Sequence, residues 1–105
     1  MTARGNGSRL YEVHGSGAVA QAIRRVHRQA SRQGRGPIVS RALRQIIRQL
    51  ELDPFDVGEP VYRLPGMHLQ VRTVIVQPLV VDFAVSEVQL LVFIKGVKLL
   101  SAPRS

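Results

Sequence analysis

The sequence predicts an α+β domain of order β-α-α-β-β-β-β, a two-helix hairpin packed on a mainly antiparallel sheet. Two observations carry this. Between Ser16 and Leu52 the apolar residues recur at helical spacing, whereas beyond Asp53-Pro54 they come as short Val, Ile, Leu and Phe runs broken by Pro, Gly or a charge. The links between those runs are too short to hold crossover helices, so neighbouring strands must run antiparallel. At 105 residues and 45% apolar the chain can close one core and no more, and with no Trp, 2 Tyr and 3 Phe that core is aliphatic. The reading is one domain over residues 10–100, with flexible segments at 1–9 and 101–105.

Residues 10–14 read as a first strand, with Leu10, Glu12 and His14 on one face and Tyr11 and Val13 on the other. Gly15-Ser16-Gly17 breaks it, and Ser16 is placed to cap a helix whose apolar stripe is Val19, Ile23, Val26 and Ala30. That helix ends near Gly34. Pro37 opens a second helix that runs to about Leu52, with Val39, Ala42, Leu43, Ile46, Ile47 and Leu50 inward and Arg41, Arg44, Gln45 and Arg48 toward solvent. Strands follow at 61–64, 69–76, 79–86 and 89–99. Their turns are Pro65-Gly66, Gln77-Pro78 and the stretch from Ser86 to Val88.

The net charge of +8 is unevenly placed. Residues 1–50 hold ten Arg against Glu12, a balance of +9; residues 51–105 balance at −1. Arg presents planar donor forks suited to phosphate, so RNA, DNA or an acidic protein segment is the natural partner for the helical half. The absence of Cys excludes disulfide scaffolds and thiol chemistry, and a cytoplasmic location is the expectation. No apolar signal core precedes Arg9, and Gln77, Pro78 and Asp82 interrupt the most apolar region, so no membrane contact is expected.

Several motifs lead nowhere. Gly15-Ser16-Gly17-Ala18-Val19-Ala20 fits the loose dinucleotide fingerprint, but a second helix follows the first and no acid lies between Ser16 and Glu51 to hold a ribose. It reads as a turn and a helix cap. His14, His27 and His68 lack metal-site spacing, and Ser40, His68 and Asp82 form a triad only on paper. Neither a metal nor a cofactor is expected. Glu51, Asp53, Asp56 and Glu59 read as a solvated loop. Sharper are Arg72, Lys95 and Lys98, cations within apolar strands. Alternation puts Arg72 with Gln70, Val74 and Val76, Lys95 with Leu91 and Phe93, and Lys98 with Ile94 and Gly96. Such charges either line a polar groove or snorkel at a rim.

Leu50 closing the second helix, then Pro54, Gly58 and Pro60, then Leu64 and Arg72, with Pro78, Phe83 and Val85 in the next turn and strand and residues 92–98 as the last strand, make a pattern. From residue 10 to 100 the chain resembles the RelE/ParE superfamily of bacterial toxin–antitoxin toxins. The resemblance implies neutralisation by an antitoxin, and a target that is either messenger RNA in the ribosomal A site or DNA gyrase. RelE-type cleavage needs no metal; it uses Arg and Lys at the phosphate, activation of the ribose 2′-hydroxyl and an acid for the leaving oxygen.

The chain departs from that pattern at two places. Leu79 stands where an Arg commonly opens the fourth strand, and Leu99-Leu100-Ser101-Ala102-Pro103 replaces a polar C-terminal segment, so no general acid is evident. The expectation is therefore a toxin-type protein that acts by binding, at most a metal-independent endoribonuclease. Arg63, Arg72, Lys95 and Lys98 are its candidate contacts, the last three also its catalytic candidates; Arg24, Arg28, Arg41, Arg44 and Arg48 would add attraction. The alternative is a non-toxic RNA- or protein-binding domain that keeps the fold.

Overall fold

The computed structural model describes residues 9–101; the flanking segments expected at 1–9 and 101–105 lie outside it apart from Arg9 and Ser101. Two helices pack on one face of a five-stranded mixed sheet. The elements are β1 (Glu12–Gly15), α1 (Gly17–Arg32), α2 (Gly36–Leu52), a 3-10 turn (Pro54–Asp56), β2 (Glu59–Leu64), a second 3-10 turn (Pro65–Met67), β3 (Leu69–Val76), β4 (Leu79–Ser86) and β5 (Leu91–Leu99). The sheet order is β1-β5-β4-β3-β2, with β2 to β5 an antiparallel meander and β1 parallel to β5. No helix among the described residues is long and apolar enough to cross a membrane.

Local chemistry explains the boundaries. Ser16 Oγ accepts a hydrogen bond from the Val19 amide (3.2 Å), one of the donors a helix start leaves unpaired. Gly34 takes a positive φ of 73° after α1, and Pro37 sits in the first turn of α2. Strand β1 starts at Glu12 rather than residue 10, because the Tyr11 amide is engaged by the Glu51 carbonyl (2.9 Å) at the end of α2. Strand β5 starts at Leu91 rather than residue 89, because Ser86 Oγ accepts from the Val88 and Gln89 amides and holds both in the turn. Strand β2 begins two residues early, where Glu59 and Pro60 pair with Thr73 and Arg72.

The core lies between helices and sheet. Val19, Val26 and Ala30 of α1 and Val39, Ala42, Ile46 and Leu50 of α2 meet Val74, Leu79, Val81, Phe83, Val85, Val92, Ile94 and Val97. Successive side chains of β3 and β4 turn to opposite faces, so one sheet face is spent on this core and the other is left uncovered by the helices. That second face positions the candidate site.

Candidate nucleic-acid interface

A single bulge decides what the uncovered face carries. Asp82 pairs with Gly96 but the next residue, Phe83, pairs with Ile94, so Lys95 is an extra residue in β5. Strict alternation would place Lys98 with Ile94, on the core face. The extra residue reverses the parity beyond it, Val97 turns into the core, and Lys98 emerges opposite Val80 on the uncovered face. The expected grouping of Lys98 with Ile94 is thereby corrected, and Lys95 and Lys98 stand exposed on one surface.

Across this face runs one row of residues, one from each strand: Tyr62, Val71, Ala84, Phe93 and His14. Val71 and Ala84 are small and buried at its centre, while Tyr62, Phe93 and His14 are exposed. His14 stacks on Phe93 with centroids 6.0 Å apart, and its Nε2 donates to Glu12 Oε1 at 3.1 Å. Lys95 reaches over the two central strands, donating to the Tyr62 hydroxyl at 3.3 Å with its ammonium 5.8 Å from the ring centroid. Aromatic faces and ammonium groups side by side on an open sheet can stack bases and neutralise phosphates. Sequence reasoning missed Tyr62, Phe93 and His14, because their alignment in one row depends on register across five strands.

The other two sheet cations have different surroundings. Arg72 shares its face with Gln70 and Val74 as expected, but this is the helix-covered face, where the residue is 7% exposed. Its guanidinium donates to the Val57 carbonyl (3.1 Å), the Gly58 carbonyl (3.1 Å) and Gln70 Oε1 (2.5 Å). It clamps the loop between α2 and β2 onto the sheet. Arg63 grips Glu87 in a bidentate pair, both contacts 2.7 Å. Hydrogen bonding to Glu87 holds the Arg63 guanidinium above its ordinary pKa, and the same bond holds the Glu87 carboxyl below the usual range.

Comparison with protein-family models, curated proteins and solved structures gives no match. The site therefore rests on its own geometry, and the helical arginines extend it. Arg24, Arg25 and Arg28 line one hollow on α1, and Arg25, Arg28 and Arg32 share a cleft of about 600 Å³ with Lys98. The basic surface thus continues around the β5 side of the domain from the sheet face to α1. Arg41, Arg44 and Arg48 are exposed on α2, with Arg48 3.4 Å from Glu51. Among the described residues no cluster of His, Asp and Glu could hold a metal. Ser40 lines the groove between the helices while Asp82 faces the uncovered side, so the paper triad with His68 has the sheet between two of its members.

The Arg63–Glu87 pair has a pH signature. The native Glu87 carboxyl titrates lower than in the unfolded chain, so its contribution is present above the ordinary carboxylate pKa and lost as pH falls through the lowered native value. Glu87→Gln should therefore be the less stable protein at neutral pH by a small margin that vanishes in acid. Urea unfolding of both proteins between roughly pH 3 and pH 7 checks this; a pH-independent difference would contradict it.

Proposed function

We propose that this chain is a RelE/ParE-like toxin-type protein that acts by binding RNA through the uncovered sheet face, with an antitoxin as its regulating partner. The observation that carries the reading is the alignment of His14, Phe93 and Tyr62 with Lys95 and Lys98 on one exposed surface. An open sheet bearing exposed rings offers stacking to unpaired bases, and the ammonium groups meet the phosphates between them. The track through Arg32, Arg28 and Arg25 supports a strand passing around the β5 side toward the helices. Gyrase inhibition remains the other target that the family resemblance implies, but it has no comparable surface feature in its favour here.

Binding rather than cleavage follows from the chemistry of the cations. Arg72 has its donors in the clamp, so Lys95 and Lys98 are left to meet phosphate on this face. The test is fluorescence anisotropy with a single-stranded RNA dodecamer at several salt concentrations. Changing Lys95 and Lys98 together to Ala should weaken binding and lower the slope of log affinity against log salt by about 1.4. Tyr62→Ala should cost about 1–3 kcal/mol of binding without the change in slope. Induced expression in a bacterium should arrest growth, and the double Lys variant should relieve it. Unchanged RNA affinity in all these variants would refute the sheet face as the site.

A further inference from the structure

A groove of about 1160 Å³ runs along the β2–β3 edge of the sheet, bounded by the end of α2 and the loop after it. Three large apolar residues stand exposed in it: Leu52 at 47%, Val61 at 56% and Ile75 at 59%. Asp53, Asp56 and Glu59 rim it, three of seven acids in a chain of net charge +8, and among the described residues none of them forms an ion pair. Its floor contains an open sheet edge. Strand β2 begins opposite Thr73, so residues 74–76 of β3 have no strand beside them on that side among the described residues. The rest of this sheet edge is protected against pairing by Pro60 and a bulge at Val61, whereas residues 74–76 carry neither device.

We propose that this groove receives an extended basic segment of a protein partner, which adds as a short strand beside residues 74–76 of β3. An open edge offers alternating donors and acceptors, which a peptide satisfies in full and a nucleic acid does not. The acidic rim repels phosphate and selects Lys or Arg. The segment alternates: apolar side chains on one face of the added strand lie beside Ile75 and Val61, those on the other face turn toward Leu52, and cations flank them at Asp53, Asp56 and Glu59. A second copy of this chain is the poorer occupant, because most of its described cations sit on helices or on inner strands, and Arg63, on the edge strand β2, is engaged by Glu87.

The experiment uses the full chain and two fluorescent decapeptides, one alternating Val and Lys, the other Val and Glu. General electrostatics on a protein of charge +8 favour the Glu peptide, so the two ideas make opposite predictions. The Lys peptide should bind more tightly by at least about tenfold. Leu52→Lys, and separately Asp53→Lys with Asp56→Lys, at the end of α2 and in the loop after it, should each weaken it by a similar factor while leaving RNA affinity on the sheet face in place. These side chains are exposed, and an unchanged melting temperature shows that the variants are folded. Preference for the Glu peptide, equal binding of both, or indifference to the substitutions overturns the proposal, as does a dimer of the parent protein that the same substitutions dissolve.

Discussion

Arg72→Ala should destabilise the domain by about 3 kcal/mol, read as a lower urea midpoint at unchanged slope. The side chain donates to two backbone carbonyls of the loop before β2 and to Gln70, and it lies 7% exposed against the helix-covered face. Truncation removes charge-assisted hydrogen bonds, leaves the Val57 and Gly58 carbonyls without these donors, and opens space beside Phe83, its partner on β4. Lysine should not rescue it, since one ammonium cannot span the positions that a planar fork reaches. The contrast is Lys95→Ala, an exposed change expected to stay within about 0.5 kcal/mol. An Arg72→Ala protein as stable as the parent would mean that the clamp contributes nothing, and loss of activity in that variant could then be read as loss of a binding contact. If the clamp does hold the loop, that reading is unsafe.

The second large effect is expected one residue beyond Val57. Gly58 has φ +66°, and a Cβ added there would stand 2.0 Å from the Thr73 carbonyl oxygen and 2.9 Å from Val74 Cα. Both obstacles are backbone of a central part of the sheet edge, so neither can swing aside. Gly58→Ala should therefore lift the loop off β3 and cost about 3 kcal/mol or more, combining backbone strain with steric overlap. Because the Gly58 carbonyl also accepts from Arg72, the two substitutions act on one loop. Their combined effect should fall short of the sum of the single effects, and a double-mutant cycle by urea unfolding measures the shortfall. Strict additivity would show that the glycine and the clamp act independently.

Much of this architecture is legible in residue spacing. The stripe of Val19, Ile23, Val26 and Ala30 marks α1, the wider stripe around Ile46 marks α2, and the bounds of β3 and β4 follow from the apolar runs and their turn residues. Where expectation and structure part, a contact from outside the element is responsible. Glu51 takes the Tyr11 amide and delays β1; Ser86 keeps two amides in the turn and delays β5. The antiparallel meander follows from short links, but the parallel placement of β1 beside β5 is set by where the helical hairpin returns the chain.

By itself the sequence determined the fold class, the helix faces, the bounds of β3 and β4, and the concentration of arginine in the helical half, because each is written in local periodicity and composition. Tertiary structure alone decided the fate of the cations. Lys98 reaches the uncovered face through one extra residue, Lys95, whose position depends on pairing with a strand more than ten residues away. Arg72 is drawn into a clamp by carbonyls of a distant loop, and Tyr62, Phe93 and His14 fall in one row through the register of five strands. Side-chain parity is a property of strand pairing, and a one-residue change in pairing reverses which face every later residue occupies.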